Sequence, residues 1–191
     1  MSIRVLAIGG SLRKESYNQQ LIRQAQRQAP QDVVIELADL SDVPLYNGDI
    51  QAEGFPASVL RIAEQAAQAD AFLIATPEYN YSISGVLKNA IDWLSRVPSA
   101  PFQGKPVALA SASMGGLGGA RAQYHLRQVL IYMDVHVLNK PELFISTAHE
   151  KFSAEGELTD VASRAGLDAL LAALAVQTRR LQASEPAAQA A

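Results

Sequence analysis

The 191-residue chain contains no cysteine, which removes disulfides, thiolate metal sites, cysteine nucleophiles and cysteine-ligated iron–sulfur clusters from consideration. It also lacks a surplus of charge. Sixteen Lys+Arg against nineteen Asp+Glu leave a formal net charge of -3, so there is no basic excess to neutralise a phosphate backbone and nucleic acid is not expected as a partner. No apolar run approaches the roughly 18 residues of a membrane span. The opening Met1–Ile8 runs into Gly9-Gly10 without the small-residue cleavage site of a secretory signal, and a cytoplasmic location is the expectation. Histidine is scarce: His125, His136 and His149 form no i, i+4 pair, so no metal centre is expected. What is present is ordinary, with 49% hydrophobic and 18% charged residues, the composition of a globular domain with a normal core.

Four short runs lack the polar alternation of a half-exposed sheet: 3–8, 33–38, 71–76 and 107–112. Being rich in Val, Ile, Leu and Ala, they read as strands buried on both faces. Between them lie helical stretches at 17–29, 56–69, 84–96 and 120–133. A fifth strand is expected at 135–138, resumed at 143–145, and a last helix at 158–181 with Leu167, Leu170, Leu171 and Leu174 on one stripe. Alternating strands and helices predict a doubly wound α/β fold, a five-stranded parallel sheet with helices on both faces. One domain is expected over 1–182. The Ala/Gln-rich end, 183–191, lacks apolar anchors and is expected to be disordered.

In open α/β sheets ligands bind beyond the carboxyl ends of the strands, and three loops there are unusual. The first, Gly9 to Asn18, brings hydroxyls at Ser11 and Ser16, a guanidinium at Arg13 and an amide at Asn18 to a helix start, a combination suited to an anion such as phosphate. Capping alone accounts for one serine but not for the set. The second, Thr76 to Gly85, carries Tyr79 and Tyr81 with Asn80 between them and suits a flat heterocycle that is stacked and hydrogen-bonded. The third, Ser113 to Gly119, has four glycines in five positions, which lets backbone approach a ligand. In the strand order 2-1-3-4-5 these loops are neighbours at the switch point, where flavodoxin-like folds hold flavin mononucleotide (FMN).

Other phosphate loops fail on spacing. Gly9-Gly10-Ser11 is not G-x-G-x-x-G, Arg121 stands where a third glycine after Gly116 and Gly118 belongs, and Gly104-Lys105 is followed by Pro106 rather than Ser or Thr. A serine hydrolase is an alternative, with Ser111 to Gly115 resembling a nucleophile elbow and Asp134 and His149 following in the right order, although the elbow's first glycine is absent.

The phrases Gly10-Ser11-Leu12-Arg13 with Ser16 and Asn18, Pro77-Glu78-Tyr79-Asn80-Tyr81, Gly85-Val86-Leu87-Lys88-Asn89-Ala90-Ile91-Asp92-Trp93 and Gly118-Gly119-Ala120-Arg121 resemble the NAD(P)H-dependent FMN reductase family, in particular its bacterial quinone and chromate reductase branch. The resemblance spans about Ile3 to Glu142. It implies a flavodoxin-like fold and noncovalent FMN, with phosphate at Ser11, Arg13, Ser16 and Asn18 and with Tyr17 beside them. It places the ring along Pro77, Glu78, Tyr79 and Asn80, and closes it with Ser113, Gly115 and Gly116. NADH or NADPH would be the donor and quinones, chromate, azo dyes or free flavin the acceptors. Because the flavin carries the chemistry, no catalytic acid or base is nominated. Tyr81, Arg121 and Tyr124 are assigned to substrate or to a subunit interface, Arg121 meeting either a nicotinamide cofactor's phosphate or a neighbouring chain.

The family also implies homodimers or homotetramers. On the stretch 120–133, Leu126, Val129, Leu130 and Met133 suffice for a core face, leaving Tyr124, Ile131 and Tyr132 for another surface. Two further readings stay open. One is a reductase that releases reduced FMN to a separate monooxygenase; the other is a flavin electron carrier, against which the small net charge argues.

Overall fold

The computed structural model describes residues 2–188. Its centre is a parallel sheet in the order β2-β1-β3-β4-β5, built from β1 (Ile3–Gly9), β2 (Val33–Ala38), β3 (Ala71–Ala75), β4 (Pro106–Ala112) and β5 (His136–Val137). A sixth strand, β6 (Leu143–Ile145), also pairs with β4. The fifth sheet position is thus shared between two short strands: β5 pairs with Pro106 and Val107 at the start of β4, and β6 with Ala110 to Ala112 at its end. This refines the expectation of one interrupted fifth strand.

Strand alternation sends successive side chains to opposite faces, and here both faces are covered. Ile3, Val5 and Ala7 of β1 join Ala71, Leu73 and Ala75 of β3 in one core. That core is closed by α1 (Tyr17–Arg27) and α7 (Val161–Ala188), whose Leu167, Leu170, Leu171 and Leu174 are buried. Leu6, Ile8, Phe72, Ile74 and Leu109 face the other way. There α3 (Ala57–Gln68), α4 (Gly85–Leu94) and α5 (Ala120–Leu130) cover them. Two shorter helices, α2 (Gly48–Glu53) and α6 (Ala148–Lys151), were not expected from the sequence.

The helix expected at 120–133 ends at Leu130 and continues as a 3-10 turn over Ile131–Met133, closed by Asp134 in the left-handed region. The last helix continues through Ala188, beyond the boundary at 182 read from composition; residues 189–191 of the expected tail lie outside the described residues. Among the described residues no helix is long and apolar enough to cross a membrane.

Several motif residues serve this architecture. Asn89 accepts from the Tyr46 N–H (2.7 Å) and donates to the Pro44 carbonyl (2.8 Å), while the fully buried Trp93 donates to the same carbonyl (2.9 Å). Together they tie the segment after β2 to α4. Ser84 caps α4 by accepting from the Leu87 N–H (3.1 Å) and donates to the Gly10 carbonyl (2.5 Å), so a single hydroxyl fixes the first loop against the second.

Candidate functional site

Beyond the carboxyl ends of β1, β3 and β4 the three loops enclose one cavity of about 320 Å³. At one end the α1 start supplies Ser11, Arg13, Ser16, Tyr17 and Asn18. Helix geometry leaves the first N–H groups of α1 without intrahelical acceptors; Ser16 takes only that of Gln19, at 3.4 Å. Ser11 and Ser16 are buried. Arg13 is exposed, and among the described residues no carboxylate pairs with it. Its guanidinium stands 5.6 Å from the Tyr17 ring centroid. An unpaired cation, two hydroxyls and free N–H groups make this end suited to an anion.

The rest of the lining is more apolar: Pro77 and Ala112 are buried and Tyr79 and Met114 are open to solvent. They supply apolar surface, and Glu78 and Ser113 also line the cavity. Ala112 and Met114 were not expected at the site, because these apolar neighbours of Ser113 carry no side-chain donor or acceptor to mark them in the sequence. Asn80, Gly115 and Gly116 do not line it. Asn80 and Tyr81 form the tip of a two-residue turn, with φ of 50° and 68°, closed by paired backbone hydrogen bonds between Tyr79 and Ser82 (3.0 Å each).

Three side chains have destinations that the sequence did not reveal. The Asn18 amide donates to the Ala112 carbonyl and accepts from the Ala112 N–H, both at 2.9 Å. It therefore clamps α1 to β4, with one amide N–H left over. Glu78 is nearly buried; one of its oxygens accepts from Arg121 at 2.5 Å and the other from the Ala122 N–H at 3.4 Å. It thereby satisfies the start of α5, whose own N-cap, Gly119, has no side chain to do so. Arg121, assigned to substrate or to a subunit interface, holds Glu78 and lies 3.8 Å from the Tyr81 ring centroid. Tyr124 is exposed and packs edge-on against Phe144 at 6.2 Å.

The glycine loop divides in two. A Cβ on Gly118 would stand 2.9 Å from backbone atoms of Phe144 and Ser146, and one on Gly119 2.7 Å from the Ser111 Cβ. Both positions have positive φ, so these glycines serve the fold. Gly115 has only the Ser113 hydroxyl oxygen near, at 3.7 Å, and Gly116 has open space. The hydrolase constellation is not assembled: the Ser113 hydroxyl, at the nucleophile position of the elbow, accepts from the Gly115 N–H (3.2 Å) and among the described residues makes no hydrogen bond to a histidine, while Ser111, at the position of the missing glycine, is buried against the Gly118 carbonyl (2.6 Å) and Gln123 (2.8 Å). Asp134 meets Gln103 at the other end of β4, and His149 lies by Glu150.

Comparison with known proteins places the chain in a family. Residues 3–150 match the family model described as NADPH-dependent FMN reductase. An NAD(P)H-dependent FMN reductase of Pseudomonas aeruginosa is 55% identical over 180 residues, covering 94% of this chain and 97% of that one. A quinone reductase of Escherichia coli is 49% identical over 161 residues, 83% of this chain and 86% of that one. Among solved structures, the flavoenzyme NAD(P)H:(acceptor) oxidoreductase FerB of Paracoccus denitrificans superposes with a TM-score of 0.84 at 35% identity, over 93% of this chain and 98% of that one. The chain belongs to the NADPH-dependent FMN reductase family.

Proposed function

We propose that, as a member of this family, the protein holds FMN in the cavity at the ends of β1, β3 and β4 and passes electrons from NADH or NADPH to quinones. The observation that carries the reading is the mixed lining of the cavity. An unpaired guanidinium and two buried hydroxyls share it with the apolar surface of Pro77, Ala112 and Met114. That donor set fits a molecule with a phosphate on one side and a planar ring on the other. When bound, FMN supplies the two-electron chemistry.

The protein's part is to bind and orient. Arg13, Ser11, Ser16 and the N–H groups of Tyr17 and Asn18 hold the phosphate; Pro77, Glu78 and Tyr79 border one flank of the ring; Ser113 borders the other, with Gly115 and Gly116 following it outside the lining. Burial of Glu78 against Arg121 fixes the second loop to α5.

The experiment is a steady-state assay of NADH and NADPH oxidation with a soluble quinone. A cavity of this size, once filled by its cofactor, has one remaining face to offer, so donor and acceptor visit in turn and parallel double-reciprocal lines are expected. Intersecting lines, or no oxidation with FMN saturating, contradict the reading. Chromate, azo dyes and free flavin are proposed as further acceptors and the cytoplasm as the location. Whether reduced FMN is retained or handed to a monooxygenase is decided by its dissociation after reduction. Tyr124, Ile131 and Tyr132 are 56%, 77% and 74% exposed, which supports a homodimer or homotetramer built on α5 and the 3-10 turn that follows it; light scattering that reports a monomer retaining quinone turnover would refute it.

A further inference from the structure

The segment after α6 lies beyond the region matched by the family model, which ends at residue 150, yet it reaches the anion end of the cavity. Phe152 pairs with Leu158 across a short antiparallel bridge. The turn between them is closed by Ser153 N–H to the Glu157 carbonyl (2.8 Å) and Gly156 N–H to the Ser153 carbonyl (3.0 Å). This turn sits on α1, where Arg27 pairs with Glu157 at 3.8 Å and two side chains pack against it. Gly156, with φ of 83°, packs so closely on Gln20 that a Cβ there would meet its side chain at 3.0 Å. The buried Phe152 ring lies 5.4 Å from the Tyr17 ring, tilted by 39°. Tyr17 in turn carries the Arg13 guanidinium, and among the described residues Arg13 has no carboxylate to set its place.

We propose that Phe152 is a positioning residue for the anion end: it holds the Tyr17 ring, and the ring holds the Arg13 charge where a phosphate is received. The inference rests on the FMN reading above and assigns to this turn a control over phosphate recognition. A cation over an exposed aromatic face contributes about two- to fivefold in an equilibrium constant.

The test is flavin fluorescence titration of the parent, Phe152→Leu, Phe152→Tyr, Arg13→Ala and the Phe152→Leu/Arg13→Ala double variant with FMN and with riboflavin, which lacks the phosphate. Phe152→Leu is expected to weaken FMN about two- to fivefold with riboflavin unchanged. Phe152→Tyr, which keeps the ring, is expected to retain FMN affinity, and Phe152→Leu to add nothing once Arg13 is gone. Equal loss of both flavins, no loss of either, or an additive double variant overturns the positioning role. If Arg13→Ala itself fails to discriminate the two flavins, the phosphate reading falls and the inference with it. Tyr17→Leu, read by the same FMN-to-riboflavin ratio, replaces Phe152→Leu if that variant does not fold.

Discussion

Gly119→Ala separates what the glycine loop does for the fold from what it offers a ligand. Gly119 has φ of 88°, a conformation that costs a residue with a Cβ about 1–2 kcal/mol. The new methyl would stand 2.7 Å from the Ser111 Cβ and 2.8 Å from its Oγ. Ser111 is not free to turn aside, because its hydroxyl is fixed between the Gly118 carbonyl at 2.6 Å and the Gln123 amide at 2.8 Å. Overpacking of this kind costs about 1–3 kcal/mol. The sum, about 2–5 kcal/mol, is a large part of the roughly 5–15 kcal/mol by which domains are stable. Urea unfolding followed by circular dichroism measures it, with Gly116→Ala as the control: no atom lies within 4 Å of a Cβ there, so a change within about 0.5 kcal/mol is expected. The reasoning is refuted if Gly119→Ala unfolds at the parent's urea concentration, or if the two substitutions cost the same.

Removing Arg121 as Arg121→Met strands the nearly buried Glu78. Because Arg121 is itself 40% exposed, a loss of about 1–2 kcal/mol is expected rather than the full cost of a buried pair, and adding Glu78→Gln should recover most of it in a double-mutant cycle. Asn18→Ala deletes both 2.9 Å bonds to Ala112 and leaves two buried backbone groups unpaired; about 2–4 kcal/mol is the expected loss in urea unfolding. Acidification should destabilise the protein. The Ser41 N–H lowers the Asp39 pKa, the Arg61 guanidinium that of Asp42, the Ser153 hydroxyl that of Glu155 and Ser163 that of Asp160. Carboxyls depressed in the folded state contribute stability that is complete above their unfolded values near about 4 and is lost as pH falls through the lower folded values. Thermal melts between neutral and acid pH check this, and a midpoint that rises on acidification below that range contradicts it.

The strands and most helices were legible because burial leaves a pattern in the chain. Runs such as Ala71–Ala75 are buried at every position, and the Leu167 to Leu174 stripe marks α7. The six-residue α2 left no such trace: none of its residues is buried, so no periodicity announces it, and only Asn47, which accepts from the Asp49 N–H at 2.9 Å, marks its start. The loops that meet at the cavity were legible from residue type, since hydroxyls, aromatics and glycines collected at strand ends. Their internal division was not. Asn18 finds Ala112 across 94 residues of chain and Glu78 finds Arg121 across 43, and nothing local distinguishes a side chain aimed at a ligand from one aimed at another loop. The same limit concealed why Gly118 and Gly119 are glycines, since the atoms that forbid a Cβ belong to β6 and β4.

We propose that the cavity at the ends of β1, β3 and β4 receives FMN in one orientation, and a crystal structure of the protein grown with FMN decides it. The expected result is phosphate within hydrogen-bond distance of Ser11, Arg13 and Ser16, with the ring between the Pro77–Tyr79 segment and Ser113–Gly116. Flavin seated elsewhere, for example in the groove between α4 and α5 beside Lys88 and His125, or bound in the cavity with its phosphate at the Tyr79 and Met114 end, would contradict it.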